Sequence, residues 1–372
     1  MKILMISDVY FPRINGVSTS IATFRRELTA MGHEVALIAP EYPARTTADP
    51  GIIRVPSRYL IVDPEDRIMK AGPVLSLVPR LRAEGYDLLH IQTPFLAHRL
   101  GIKLSRHLDI PRIESYHTFF EEYLFHYLPL LPKRLMRYAA RHFSRGQCNN
   151  VDGLVVPSVA MLEVLRGYGI ETPAAIIPTG IELDEFEGGD GPAFRHRLGI
   201  PPERPTLVHV GRIAHEKNID FLLRAVAAAK REIPDIALVI AGEGPALKHV
   251  KRLSRALGLG ESCFFVGYLD RSSELLDCYR AGDAFIFASR TETQGLVLLE
   301  SMALGVPVVS TSIMGTRDIL TAGKGALVAE EDVDDFSRKL ITLLRDDALR
   351  ARLGAEARDY VREWTARALA EK

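Results

Sequence analysis

Two glutamates, Glu292 and Glu300, stand on either side of Gly295 in the segment 291–300. The apolar run 284–288 before them is typical of a strand buried on both faces, and apolar residues recur at helical spacing after the glycine. We therefore expect Gly295 to begin a helix. A helix start presents unpaired backbone N–H groups and the positive end of the helix dipole, and a glycine there lets a phosphate come close to the chain.

The two carboxylates suit the groups that accompany phosphate in a nucleotide sugar. Glu300, on the helix, can accept hydrogen bonds from ribose hydroxyls, and Glu292, in the loop, can reach a sugar. The first helical residues, Leu296 and Val297, would share the phosphate with Gly295. The alternative is a surface helix that carries two glutamates at this distance by chance.

A second loop carries two cations. The apolar strand 207–210 ends at Gly211, and Arg212 and Lys217 follow in the loop. Arginine offers a bidentate fork for phosphate oxygens and lysine a compact charge, so both could face a diphosphate. A leaving diphosphate gains negative charge as its bond to the sugar breaks, and the stabilisation by these cations therefore grows toward the transition state. Ordinary solvated charges on a surface loop are the alternative.

With these motifs the chain resembles the retaining group 1 glycosyltransferases of GT-B fold, nearly from end to end. The resemblance rests on the cation loop, the paired glutamates and the segment 305–309, Gly-Val-Pro-Val-Val. At the amino end, Gly16 follows the first predicted strand and opens a helix, like the glycine loop of the family. His117 stands in a Tyr-His-Thr segment similar to that of the family's active-site histidine.

The resemblance implies a role for each of these residues. In the family the arginine and the lysine bind the donor diphosphate, the first glutamate holds the donor sugar, the second glutamate binds the ribose, and the histidine lies against the transferred sugar. The stretch around Gly267 would cup the nucleotide base through its backbone, which leaves uracil or guanine open. We predict His117, Arg212, Lys217 and Glu292 as catalytic residues, and Gly16, Arg212, Lys217, Gly267, Glu292, Gly295, Leu296, Val297 and Glu300 as donor-binding residues.

One departure from the family narrows the interpretation. Many members have Gly-Phe-Gly after the first glutamate, whereas this chain has Thr-Gln-Gly at 293–295. That form, together with the segment 116–127, resembles the diacylglycerol glucosyltransferase branch. The resemblance implies transfer of glucose from UDP-glucose to diacylglycerol at the cytoplasmic membrane surface.

Two alternatives to this interpretation stay open. Within enzymes, the chain could be a mannosyltransferase that uses GDP-mannose on a lipid or polysaccharide acceptor. In another class, it could be a catalytically silent nucleotide-sugar-binding protein that docks on membranes. The presence of both glutamates, both cations and His117 argues against the silent binder, since a sensor needs no full catalytic set.

The predicted mechanism follows from the carboxylates. A double displacement needs a carboxylate under the anomeric carbon, and no segment supplies an obvious one. The resemblance implies retention along a front-face, oxocarbenium-like path, in which the departing diphosphate accepts the proton of the incoming hydroxyl. We expect no metal ion and no other cofactor to be required.

Composition bounds these interpretations. The 372 residues carry 47 basic and 47 acidic side chains, and a chain of this length is expected to form about two domains. The apolar run 2–6 is cut short by Ser7-Asp8 and suits a buried strand better than a secretion signal, and no uninterrupted apolar span is long enough to cross a bilayer. The three cysteines, Cys148, Cys263 and Cys278, have neither metal-ligand spacing nor a disulfide pattern. We therefore expect a cytoplasmic protein.

Apolar strands alternate with helical stretches along the whole chain, which predicts the α/β class with two doubly wound, Rossmann-like domains that face across a cleft. The first domain, on the acceptor side, spans 1–180, and the second, which binds the donor, spans 181–355. From the resemblance, the segment 356–372 would be a helix that crosses back to the first domain. The predicted strands are 2–6, 35–39, 87–91, 112–116, 153–156, 175–177, 207–210, 237–241, 263–266, 284–288 and 307–310.

A basic segment gives an indication about the acceptor. There is no acidic residue between Glu122 and Asp152, while basic residues accumulate among apolar ones. Cations at four-residue steps on one helix face repel each other, and an anionic lipid surface would relieve this repulsion. We predict a peripheral association with the inner face of the cell membrane, and no nucleic-acid partner because stacking platforms and a recognised module are missing. A solvated face over a buried apolar stripe is the alternative. The predicted membrane-side residues are Lys133, Arg134, Arg137, Arg141 and Arg145.

Overall fold

The computed structural model describes residues 1–13, 15–43, 49–59, 67–117, 133–271, 273–320 and 324–372. Over these residues the chain forms two compact units, each with its own parallel sheet. The first unit comprises Met1–Gly180 together with Ala366–Lys372, and the second comprises Ile181–Thr365.

The first unit contains nine described strands and six described helices before residue 180. The strands are β1 (Lys2–Ile6), β2 (Glu34–Pro40), β3 (Ile52–Val55), β4 (Ser57–Tyr59), β5 (Arg67–Met69), β6 (Leu88–Ile91), β7 (Arg112–Ser115), β8 (Gly153–Val156) and β9 (Ala174–Ile176). The helices are α1 (Gly16–Ala30), α2 (Ala71–Leu75), α3 (Val78–Glu84), α4 (Leu96–Leu108), α5 (Lys133–Cys148) and α6 (Val159–Gly167).

Seven of these strands form a parallel sheet in the order β3-β2-β1-β6-β7-β8-β9, and β4 pairs with β5 in an antiparallel ribbon. Leu4, Met5 and Ile6 of β1 are completely buried, because a parallel sheet has helices on both faces. The chain winds from β1 to β2 on one side and to β6 on the other side. The neighbouring carboxyl ends of β1 and β6 are therefore a point where the strand order reverses, which is where open α/β sheets bind ligands.

The second unit repeats this architecture. Its strands are β10 (Thr206–Val210), β11 (Ala237–Ala241), β12 (Cys263–Gly267), β13 (Ala284–Phe287), β14 (Val308–Thr311) and β15 (Ala326–Ala329). Its helices are α7 (Gly191–Arg197), α8 (Ile219–Ala229), α9 (Leu247–Ala256), α10 (Glu274–Arg280), α11 (Leu296–Ala303), α12 (Thr316–Ile319), α13 (Val333–Arg345) and α14 (Asp347–Tyr360).

The six strands of the second unit form a parallel sheet in the order β12-β11-β10-β13-β14-β15. Residues that alternate along β10 belong to different apolar clusters: Val208 packs in the cluster on one face and Leu207 in the cluster on the other. Both clusters consist of buried apolar side chains, as the predicted doubly wound class requires. The strand order reverses between β10 and β13, whose pairing joins Val208 to Phe285.

The return of the chain to the first unit comes after Thr365, whereas the sequence analysis placed it at residue 356. Leu353, Ala357 and Tyr360 of α14 are buried in the two clusters of the second unit, which keeps this helix there. Trp364 packs edge-on against Tyr360, with ring centroids 6.2 Å apart. A short last helix, α15 (Ala366–Ala370), packs against α1 of the first unit.

Candidate active site

Two loops leave the second sheet side by side at the point where its strand order reverses. One follows β10 and carries Lys217, and the other follows β13 and carries Glu292. The Lys217 ammonium donates to Oε1 of Glu292, and each side chain is about one-fifth exposed. Two of the predicted catalytic residues, 75 positions apart in the chain, are thus in contact. Arg212 is exposed at the start of the same cation loop.

The backbone of the cation loop lies directly against the loop that follows β11. A Cβ atom on Gly242 would lie 2.0 Å from the carbonyl oxygen of Gly211, and one on Gly244 would lie 2.4 Å from that of Ile213. The N–H of Ile213 donates to the carbonyl of Glu243 at 2.8 Å. Glycine is therefore required at 242 and 244 by a close approach of two backbones, since only a residue without Cβ fits there.

A buried histidine, His209, lies within β10, two residues before the cation loop. Its Nδ1 is 3.1 Å from the carbonyl oxygen of Ile286, so Nδ1 carries the proton and donates. Its ring stacks with those of Phe285 and Phe287. Burial lowers the pKa of His209 to about 4, which keeps the imidazole neutral at pH 7. The sequence analysis assigned no role to it, although a polar residue within an apolar strand was the available signal.

The Glu292 loop is held by the segment before α12. The N–H of Gly315 donates to the carbonyl oxygen of Glu292 at 2.8 Å, and a Cβ on Gly315 would lie 2.1 Å from that of Thr293. Gly295 has a φ of +104° and is the N-cap of α11, which begins at Leu296. The helix therefore starts where the sequence predicts, and Leu296 and Val297 form its first turn.

Glu300, on α11, is buried, with 2% of its surface exposed. Its two carboxylate oxygens have different partners: Oε2 accepts from the hydroxyl of Tyr279 at 2.8 Å and Oε1 from the guanidinium of Arg271. The charge of Glu300 raises the pKa of Arg271, and burial raises the pKa of Tyr279 well above its usual value. Each carboxylate oxygen has two lone pairs, so this arrangement leaves acceptor capacity on both.

Neither Arg271 nor Tyr279 was found from the sequence. Arg271 lies in a turn without a motif, and Tyr279 is one of several large side chains on the amphipathic helix α10.

Gly267, at the end of β12, has a φ of +75°, and its carbonyl accepts from the N–H of Gly242 at 2.7 Å. It therefore lies at the same edge of the second sheet as the cation loop.

The Asp-x-Asp triplet at 332–334 serves as a helix cap. The side chain of Asp332 accepts from the backbone N–H groups of Asp334 and Asp335 at the start of α13. Among the described residues, no group of three or more His, Cys, Asp or Glu side chains could hold a metal ion.

In the first unit, two of the predicted residues follow strands near the point where the strand order reverses. Gly16 follows β1, which is at that point, and His117 follows β7, the neighbour of β6. Gly16 begins α1 after the N-cap Asn15, whose side chain accepts from the N–H of Ser18 at 2.9 Å. His117 follows β7, and its Nε2 is 3.4 Å from Oε1 of the buried Gln92. Burial lowers the pKa of His117 to about 4. Gln92 was not identified from the sequence.

The basic helix α5 presents its arginines to solvent. Arg134, Arg137, Arg141 and Arg145 are exposed, whereas Met136, Ala140, Ser144 and Cys148, at four-residue steps along the same helix, are buried. Three apolar side chains of α5 are also exposed: Leu135, Tyr138 and Phe143. Tyr138 is four residues after Arg134 and three before Arg141, so it shares the face of the arginines.

Two further points concern this helix and its neighbours. The guanidinium of Arg141 lies 5.3 Å from the ring centroid of Tyr168. The side chain of Lys133 lies outside the described residues, and so does the segment 118–132. This segment includes most of the residues 116–127, on which the resemblance to the diacylglycerol glucosyltransferase branch partly rests. No helix in the described parts of the chain combines the length and the apolar character needed to cross a membrane.

The comparisons with known proteins identify the family. The model for "Glycosyltransferase Family 4" matches residues 14–185, and the model for "Glycosyl transferases group 1" matches residues 190–360. The chain belongs to the group 1 glycosyltransferases, and its fold is GT-B. It is 36% identical over 321 residues to the alpha-monoglucosyldiacylglycerol synthase of Streptococcus pneumoniae, a match that covers 83% of this chain and 71% of that protein. It is 29% identical over 324 residues to the protein of the same name from Acholeplasma laidlawii, covering 83% and 80%.

Solved structures share the fold at lower identity. The sucrose-phosphate synthase of Thermosynechococcus elongatus matches with a TM-score of 0.78 and 22% identity, covering all of this chain and 96% of that one. The Anabaena protein HepE in complex with UDP-glucose matches with a TM-score of 0.77 and 17% identity, covering 100% and 97%. At these identities the likeness establishes the GT-B fold.

Proposed function

We propose that this protein transfers glucose from UDP-glucose to diacylglycerol at the inner face of the cell membrane, with retention of configuration and without a metal ion. The observation that carries the transfer chemistry is the contact between Lys217 and Glu292 at the carboxyl edge of the second sheet. A cation suited to a diphosphate and a carboxylate suited to a hexose lie side by side there. The choice of glucose and of a diacylglycerol acceptor is supported by the 36% identity to a monoglucosyldiacylglycerol synthase.

The proposed reaction is a front-face substitution. The bond between the anomeric carbon and the diphosphate oxygen breaks, and the bond from the anomeric carbon to the acceptor oxygen forms. The proton of the acceptor hydroxyl passes to the departing diphosphate. Arg212 and Lys217 stabilise the charge that develops on this diphosphate, and the start of α11 at Gly295 adds backbone donors.

Binding of the donor would change the hydrogen-bond partners of Lys217 and Glu292. Lys217 and Glu292 form an ion pair in which their charges offset each other. The proposed roles require the ammonium to reach a phosphate oxygen while the carboxylate accepts from a sugar hydroxyl, and an ammonium has three donors for such sharing. The pair then positions the two halves of the donor relative to each other.

The proposed acceptor side is the first unit. His117 is neutral at pH 7, because burial lowers its pKa to about 4, and a neutral imidazole can donate or accept a hydrogen bond beside a sugar without adding charge. A Cβ on Gly16 would meet no described atom within 4 Å, which leaves the start of α1 open to a ligand.

Docking on the membrane is proposed for α5. Its exposed arginines would face anionic headgroups, where each basic side chain contributes about 1 kcal/mol. The exposed Tyr138, one turn from Arg134 and Arg141, would enter the headgroup boundary beside them.

A panel of donors and acceptors tests the proposal. Purified protein is incubated with vesicles that contain diacylglycerol and with UDP-glucose, UDP-galactose and GDP-mannose as donors. The products are analysed by mass spectrometry and by the anomeric coupling in their NMR spectra. The expected product is an α-glucosyl diacylglycerol formed from UDP-glucose at the same rate with and without a chelator. Products from GDP-mannose alone would favour a mannosyltransferase, and binding of UDP-glucose without turnover would favour a silent binder.

A further inference from the structure

A third loop of the second unit joins the two loops that carry Lys217 and Glu292. Glu331, which follows β15, accepts two hydrogen bonds from Nε of Arg290, at 2.8 Å to Oε1 and 3.1 Å to Oε2. A second guanidinium nitrogen of Arg290 also contacts Oε1. The same oxygen accepts from the side-chain amide of Asn218 at 3.2 Å. One carboxylate therefore holds one side chain from each loop.

Both partners of Glu331 are close in sequence to a predicted catalytic residue. Arg290 is two residues before Glu292, and Asn218 directly follows Lys217. Asn218 has a φ of +57° and is the N-cap of α8, so it connects the end of the cation loop to a helix. Glu331 therefore contacts side chains that are one residue from Lys217 and two residues from Glu292.

The backbone around Glu331 is itself fixed. The preceding residue, Glu330, donates its N–H to Asp335 at 2.9 Å, and the following residue, Asp332, caps α13 through bonds to Asp334 and Asp335 at 3.0 and 2.9 Å. Glu331 therefore projects from a platform anchored on a helix of 13 residues. A carboxylate on such a platform can define the spacing of two loops more sharply than the loops do alone.

The direct backbone tie between the two loops is long. The N–H of Arg290 points to the carbonyl of Glu216 at 3.4 Å. Hydrogen bonds of this length are weak compared with charge-assisted contacts to a guanidinium. Glu331 is about one-quarter exposed and Arg290 about three-fifths exposed, so we expect their pair to add little to overall stability. The contribution that we infer for this pair is to fix the spacing between the two loops.

We propose that Glu331 is a positioning residue of the donor site, which sets the distance between the Lys217 loop and the Glu292 loop through Asn218 and Arg290. Its catalytic consequence rests on the proposed function, in which the ammonium and the carboxylate act on one donor. Displacement of such groups by about 1 Å can cost up to a hundredfold in rate, and partial loosening costs less.

The test compares Glu331→Ala and Glu331→Gln with a matched control, Glu232→Ala. Glu232 pairs with Arg345 at 2.9 Å in the same unit, and both side chains of this pair are about half exposed. In Glu331→Ala, amide hydrogen exchange over 215–219 and 289–295 is expected to rise about tenfold, with the control unchanged and both variants melting close to the wild type. Glu331→Gln keeps a neutral acceptor, and we expect it to recover part of the protection.

Kinetics give the second readout. Glu331→Ala is expected to lower kcat of glucosyl transfer about tenfold and to leave the KM of the lipid acceptor unchanged, with Glu331→Gln between it and the wild type. Unchanged exchange in both loops, or an equal rise in Glu232→Ala, would overturn the positioning role. If the wild type turns over no donor, the proposed function fails, and the exchange measurement still decides whether Glu331 holds the two loops.

Discussion

The carboxyl edges of the two sheets differ in how tightly their candidate residues are held. At the edge of the second sheet, Lys217 pairs with Glu292 and Glu300 is bonded to Arg271 and Tyr279. At the edge of the first sheet, His117 contacts Gln92 at 3.4 Å, and Gly16 leaves open space around its Cα. Dense bonding thus lies at the edge where, in the proposed mechanism, negative charge develops during transfer.

Physical chemistry accounts for this difference. Stabilising a developing charge requires donors and cations that need no reorganisation during the reaction, and ion pairs and buried hydrogen bonds fix such groups in advance. An acceptor hydroxyl carries no charge, and its binding relies on shape and apolar contact. If the comparison is correct, substitutions at the second edge should reduce the rate more than those in the first unit.

The largest effect is expected from Lys217→Ala and Glu292→Ala. Each removes one member of the pair at the proposed donor site, and loss of one preorganised electrostatic contact of this kind costs about 3–4 kcal/mol, or roughly a hundred- to thousandfold in kcat. Initial rates with UDP-glucose and diacylglycerol measure this. Arg352→Ala, which breaks an exposed pair with Glu356 on α14, is the control and should retain activity. Wild-type rates in both site variants would remove the second edge from the mechanism.

A smaller effect is expected from Tyr279→Phe. This change removes the hydroxyl that donates to Oε2 of the buried Glu300, and a hydrogen bond to a charged group is worth about 1.5–3 kcal/mol. We expect affinity for UDP to fall about tenfold or more, because Glu300 would no longer be held toward the ribose. Calorimetry with UDP and 2′-deoxy-UDP measures this. The wild type should prefer UDP, and the variant should show a reduced preference; an identical preference in both proteins would separate Tyr279 from ribose recognition.

The protonation of His209, in β10, is expected to make the free energy of unfolding depend on pH. Its pKa in the folded protein lies near 4, below the ordinary value of 6.5, so between these values the unfolded chain binds more protons than the folded chain. The free energy of unfolding should therefore fall as the pH is lowered through this range, by up to about 1.4 kcal/mol per pH unit from this residue. Urea unfolding at several pH values should show a shallower dependence for His209→Phe, which keeps an aromatic ring between its neighbours. Equal slopes would show that His209 is not held neutral.

The smallest effect per residue is expected on the first unit. Replacing Arg137 by glutamine should weaken binding to vesicles with anionic lipid by about 1 kcal/mol, roughly fivefold, since one basic side chain near the surface is lost. Sedimentation with vesicles at low and high salt measures this. Arg106→Gln, on α4, is a control with the same charge change. Binding that responds equally to both changes would mean that net charge, rather than α5, attracts the membrane.

The elements that carry the proposed donor site could largely be predicted from local patterns. The helix start at Leu296 follows from Gly295 and from the apolar period after it, and the strand end at 210 follows from an apolar run that stops there. β13 ends at Phe287, one residue before the predicted end. Four strands were not predicted from the sequence: β3, β4, β5 and β15. β3 and β15 are edge strands that are only partly buried, and β3 contains a half-buried arginine. β4 and β5 have three residues each and lie outside the two parallel sheets, so neither shows the apolar run of a central strand.

The sequence by itself determined the α/β class, the GT-B family and the residues with the chemistry for a nucleotide sugar, because periodicity, glycine positions and motifs are local properties of the chain. Only the tertiary structure decided which of these residues touch. Lys217 meets Glu292 across 75 positions and Asn218 meets Glu331 across 113, because the order of the strands brings their loops to one edge. Strand order results from the packing of the whole core, and no single segment encodes it.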